Sequence, residues 1–245
     1  MEIPYTHGGD IYSRPIKMDY SANINPLGLP EGVKRELLCC VEENVCCIYP
    51  DSACRSLKMA LSEIHHVPKE WISCGNGAAD LIFALVAALR PRHALLLAPS
   101  FLEYSQALHL WGCETDSFML REDEDFSLDP FRLKEALFRA RAEKQPYDIL
   151  FLCNPNNPTG LPVKKEIVEE IGVVCKETGT WLAVDECFCD FLDEPEAYSA
   201  IPKLKDLDHV IVLKAFTKIY AMAGLRLGYS LCADQELNIR LETVR

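Results

Sequence analysis

The sequence holds no run of about 18 apolar residues, which removes a membrane-spanning helix, and its start, MEIPYTHGGD, lacks the basic and apolar segments of a secretory signal. A cytoplasmic chain is the expectation. Basic residues are also scarce: 25 Lys and Arg stand against 37 Asp and Glu, a formal net charge of -12 with a pI near 5.0. Binding a phosphate backbone needs a basic footprint, so the composition argues against nucleic acid and for a small-molecule partner. No GxGxxG follows the first β-rich run, which weakens a Rossmann nucleotide-binding reading. The twelve cysteines include no CxxC pair and no Cys/His spacing of the zinc kind, so no metal ligand set is expected. Disulfide frameworks belong to small exported chains. The cysteines, among them Cys39, Cys40, Cys46 and Cys47 in one helical-looking segment, therefore read as reduced, buried thiols that pack as small hydrophobes. Internal repeats and low-complexity linkers are missing as well. What remains, 245 residues of which 49% are hydrophobic, suits one large α/β domain.

Short β-rich runs alternate with amphipathic segments. The expected strands are 71–73, 93–98, 148–153, 180–185, 209–214 and 227–232, and the expected helices are 32–45, 53–65, 78–88, 103–111, 129–143 and 163–177. Near-continuous apolar strands such as ALLLA and ILFLC fit a mainly parallel sheet covered on both faces. Residues 1–30, with Pro4, Pro15, Pro26 and Pro30, read as an extended arm, and 31–245 as the α/β domain. His65 and His66 close a helix and read as surface residues that complement its dipole.

Ligands of such sheets gather at the carboxyl ends of the strands. There the chain places GNGAAD, PSFLEY, NPNNPTG, DECF and AFTKIY. Free amides at a helix N-terminus beside glycine make a phosphate cradle, although GNGAAD alone reads more readily as a plain capped turn. Asp185 and Glu186 end a buried strand, where a carboxylate needs a cation or a protonated nitrogen. Lys218 follows the next strand into the same crevice; a desolvated amine there is a nucleophile toward an aldehyde. Arg226 can hold a phosphate dianion by its planar fork. Singly these are ordinary surface charges. Together they match the needs of pyridoxal phosphate.

NPNNPTG, DECF, TKIYAMAGLRLGY and GNGAADLI resemble the large domain of the fold type I pyridoxal-phosphate enzymes in the class I/II aminotransferase superfamily, in order and over almost the whole chain. HGGD, DYSANINPLGLP, CIYPD and PSFLEY are more similar to the threonine-phosphate decarboxylases of cobalamin biosynthesis than to the histidinol-phosphate aminotransferases. The resemblance implies a three-layer α/β/α large domain with a mainly parallel mixed sheet. It implies Lys218 as the cofactor-bonding lysine, Asp185 on the pyridine nitrogen, Asn157 on the phenolic oxygen and Tyr104 stacked on the ring. Gly77, Ala78 and Ala79, with Thr217 and Arg226, hold the phosphate; Tyr49 reaches the phosphate of a neighbouring subunit in a homodimer. His7, Gly8, Asn23 and Asn157 meet the substrate, a small phosphorylated amino acid.

The resemblance carries departures. Ala215 stands where relatives have a serine or threonine, a loss of roughly 1.5 to 3 kcal/mol in a hydrogen bond to a charged group. Phe188 replaces a tyrosine of many aminotransferases, as in the decarboxylases. Relatives continue past LETVR into a small C-terminal domain, so the chain reads as truncated, with apolar surface exposed and association expected. The expected activity is decarboxylation of O-phospho-L-threonine. The alternatives are an aminotransferase on histidinol phosphate or a remnant that does not turn over.

Overall fold

The computed structural model describes residues 8–13 and 15–245. Its fourteen main elements are α1 (Glu31–Glu42), α2 (Arg55–His65), β1 (Ile72–Gly75), α3 (Ala78–Leu89), β2 (His93–Ala98), α4 (Leu102–Leu110), β3 (Glu114–Met119), α5 (Pro130–Ala142), β4 (Ile149–Cys153), α6 (Lys165–Thr178), β5 (Trp181–Asp185), β6 (Val210–Ala215), β7 (Gly228–Cys232) and α7 (Gln235–Thr243). The strands form one seven-stranded sheet in the order β1-β7-β6-β5-β4-β2-β3. β7 pairs antiparallel with both β1 and β6; the other pairs are parallel.

Alternation along β4 builds the three layers, because successive side chains leave opposite faces of a strand. Ile149, Phe151 and Cys153 meet α3, α4 and α7 through Leu81, Ile82, Leu85, Leu108 and Leu237. Leu150 and Leu152 meet α2, α5 and α6 through Leu61, Leu133, Leu137, Val168 and Ile171. Local chemistry sets the helix ends. Pro130 opens α5, whose N-cap Asp129 accepts from the Phe131 and Arg132 amides at 2.9 and 3.2 Å. α6 stops at Gly179, whose φ of 79° suits a residue without Cβ.

Expectation and structure differ in several places. β3 has the polar sequence ETDSFM and gave no apolar signal; it forms as an edge strand in register with all of β2 and stays mostly exposed. α7 was likewise unforeseen and is capped by Asp234, which accepts from the Leu237 amide. The cysteine-rich helix breaks at Asn44, which is left-handed with φ 56°, so Cys46 and Cys47 sit in a separate 3-10 turn. All twelve cysteines are free thiols, but Cys39, Cys46 and Cys47 are exposed and Cys40 and Cys54 half-buried. α1 has no buried residue, so its thiols never reach the core. His65 is half-buried rather than superficial: Nε2 lies 2.8 Å from the Tyr229 hydroxyl, and burial, followed by Lys214, pulls its pKa down to about 4. Among the described residues, no helix is long and apolar enough to cross a membrane.

Candidate active site

A cavity of about 450 Å³ opens at the carboxyl ends of the parallel strands, lined by the loops after β2, β4, β5 and β6 and by the start of α3. Chain before α1 closes it, through Gly8, Gly9 and residues 21–24. Of the residues singled out in the sequence, Gly8, Asn23, Ala78, Ala79, Asn157, Asp185, Thr217, Lys218 and Arg226 all line it. Tyr49 does not; it is 97% exposed elsewhere on the surface. His7 lies outside the described residues.

The loop NPNNPTG divides its asparagines between scaffold and site. Asn154 donates to the Val163 and Tyr198 carbonyls and accepts from the Val163 amide at 2.7 Å. Asn156 donates to the Pro99 carbonyl and to Thr159 Oγ1. These bonds fix the turn, and Asn157 is the asparagine left on the cavity wall.

The carboxylates of DECF also separate. Asp185 is buried, with Oδ2 accepting from the Tyr104 hydroxyl at 2.7 Å and Oδ1 from the Cys187 amide at 3.0 Å. Glu186 points to the opposite layer, where Ser199 Oγ and the Ala200 amide each donate to it at 2.7 Å. Burial pushes its pKa up to about 6.

Tyr104 therefore occupies a different place from the one expected. It sits in the first turn of α4, fully buried, with its ring stacked on Phe151 at 4.7 Å and its hydroxyl spent on Asp185. Burial, then Asp185, raises its pKa well above the ordinary value, so it remains a donor. Phe101, the residue before α4, is the aromatic on the cavity wall and meets Tyr104 edge-on. The signal was present in PSFLEY, which holds two aromatics three residues apart; the helix start decides which one faces the cavity.

The Lys218 amine reaches into the cavity and donates to the Ala22 carbonyl at 2.9 Å, with the Phe188 ring centroid 5.7 Å away. Burial is the largest cause of its lowered pKa; Cys187, Glu103 and Asp185 oppose the shift and Arg226 adds to it. At the far end, α3 begins at Ala78 with no side-chain cap on its first amides. A Cβ on Gly77 (φ 85°) would come within 2.9 Å of Arg226 Nη2 and 3.8 Å of Thr217 Cγ2. Loop, arginine and threonine thus converge on one point. Gly228 of β7 lies so close behind that its Cβ would meet Gly77 C at 2.7 Å. Such a cradle of uncapped amides and guanidinium, with Thr217 beside it, suits a phosphate. With a desolvated amine and an anchored carboxylate in the same cavity, the donor set fits pyridoxal phosphate.

Known proteins similar to this chain include aminotransferases and decarboxylases. The family described as aminotransferase class I and II matches residues 15–244. A threonine-phosphate decarboxylase of Salmonella typhimurium is 41% identical, over 96% of this chain and 64% of that protein. Histidinol-phosphate aminotransferase 1 of Carboxydothermus hydrogenoformans is 35% identical, over 89% of this chain and 58% of that one. Among solved structures, a histidinol-phosphate aminotransferase of Clostridium acetobutylicum superposes with a TM-score of 0.78 at 26% identity, covering 92% of this chain and 63% of the other. The chain thus spans less than two thirds of the length of these relatives.

Proposed function

The chain belongs to the aminotransferase class I and II family, and from that premise we propose that it uses pyridoxal 5'-phosphate to decarboxylate O-phospho-L-threonine, leaving an aminopropanol phosphate. The observation that carries the reading is the convergence of Lys218, Asp185 and the Gly77–Arg226 cradle on one cavity; the 41% identity to a threonine-phosphate decarboxylase supports the substrate.

When bound, the cofactor supplies an electron sink that weakens a bond at the substrate's α-carbon. The Lys218 amine, desolvated and thus more readily neutral, would be the group that holds the cofactor through its aldehyde, and Nζ would hold or return a proton when free. Asp185, held at both oxygens, presents a fixed acceptor for the ring N–H. The Gly77, Ala78 and Ala79 amides, Thr217 and Arg226 would hold the phosphate, and Asn157 would donate to the phenolic oxygen. Phe101 takes the stacking role first assigned to Tyr104. Gly8, Asn23 and Asn157, with His7, orient the substrate, and that orientation selects the carboxylate over the α-proton for loss. Tyr49 serves the cradle of a second copy in a homodimer. Twelve free thiols are in keeping with a reduced, cytoplasmic setting.

The second reading, transamination of histidinol phosphate, is favoured by the 35% identity to an aminotransferase acting on that compound. Incubation of the cofactor-loaded chain with each substrate separates the two. Carbon dioxide and an amino-alcohol phosphate from O-phospho-L-threonine support decarboxylation. An oxo product and aminated cofactor from histidinol phosphate overturn it.

A further inference from the structure

Residues 22–25 cross the cavity mouth as a strap, and one side chain fastens it. The Asn25 amide donates to the Lys218 carbonyl at 3.1 Å, and Asn25 Nδ2 donates to the Ile219 carbonyl at 2.8 Å. Asn25 also closes its own turn: Oδ1 accepts from the Leu27 amide at 3.0 Å and its carbonyl from the Gly28 amide at 3.1 Å. Three residues earlier in the same segment, the Ala22 carbonyl receives the Lys218 amine. The strap is thus bonded to the lysine at both ends of that residue, carbonyl and Nζ.

We propose that Asn25 is a positioning residue for Lys218: its side chain, bonded to the carbonyl of the next residue, Ile219, adds to the backbone bond between the Asn25 amide and the Lys218 carbonyl and pins residues 22–25 in place, so that the Ala22 carbonyl holds Nζ in the cavity and the strap keeps water from it. The proposal rests on the reading of Lys218 as the cofactor-bonding lysine. Its physical content is that the strap supplies part of the desolvation. The charged and titratable groups facing the amine are Cys187, Glu103 and Asp185, which favour the ammonium, and Arg226, which disfavours it. None of these lies on the strap, so releasing the strap leaves them in place and removes only cover and the carbonyl acceptor. Water then stabilises the ammonium, and the amine moves back toward the ordinary lysine value.

Competitive acetylation with acetic anhydride across pH, read at each lysine by mass spectrometry, titrates Lys218 without any cofactor. In Asn25→Ala, the Lys218 midpoint is expected to rise by about 0.5 to 1 unit, a three- to tenfold loss of labelling below the midpoint, while the exposed Lys205 is labelled alike in variant and wild type. Asn25→Ser, which can still cap the Leu27 amide but cannot reach the Ile219 carbonyl, gives the same shift and covers the case in which the alanine variant fails to fold. A Lys218 midpoint that stays put or falls in a folded variant overturns the proposal. The lysine assignment fails separately, if borohydride reduction of the cofactor-loaded wild type labels a residue other than Lys218.

Discussion

Asp185 shows how far a residue type predicts its partner and where prediction stops. A carboxylate at the tip of a buried strand was expected to serve the cofactor, but its anchor, the Tyr104 hydroxyl, is 81 positions away in sequence and came out only in the fold. Tyr104→Phe leaves Asp185 Oδ2 short of a donor, a cost of about 1 to 3 kcal/mol for a buried acceptor; a pyridoxal-phosphate titration should show affinity weakened roughly tenfold, with Phe101→Leu weakening it independently. Glu186, one residue on, has a different consequence. Its pKa is raised from 4.5 to about 6, so folding favours the protonated acid. That contribution is complete below pH 4.5 and is lost as pH rises through 6, amounting to about 2 kcal/mol. Urea unfolding at pH 4.5 and pH 7 should show this fall in the wild type and a smaller one in Glu186→Gln. Residue types in the strand-end loops were legible because the proposed chemistry needs particular groups there; which of two neighbours faces the cavity depends on helix starts and strand faces that no single loop encodes.

Apolar period carried most of the element assignment. β2, β4, β5, β6 and β7 were foreseen within a residue at each end because they are buried on both faces. β1 starts one residue later than expected and runs on to Gly75, since Trp71 closes a 3-10 turn first. β3 escaped because an edge strand needs only backbone pairing on one side, and its side chains can stay polar. α1 kept an amphipathic pattern without a core to face. End signals were reliable where a cap was present, as at Asp129. Asp129→Ala removes an acceptor from two amides of α5 and should cost about 1 kcal/mol, seen as a lower urea midpoint with an unchanged slope.

For the whole molecule, the sequence made legible the three-layer plan, the strand-end crevice and most of the residues that line it. Association is the property least resolved by pattern alone. Leu38, Val41, Ile48 and Tyr49 are 58%, 63%, 70% and 97% exposed in and just after α1, a grouping that suits the proposed homodimer. Sedimentation velocity should show the wild type as a dimer and Leu38→Glu/Ile48→Glu shifted toward monomer. The central claim concerns Lys218, on which cofactor, cradle and strap all converge. Its most direct test is to load the purified chain with pyridoxal phosphate, reduce it with borohydride and map the attached group by mass spectrometry. The account predicts one phosphopyridoxyl group on Lys218, absent in Lys218→Ala; a label spread over surface lysines, or equal in wild type and variant, would contradict it.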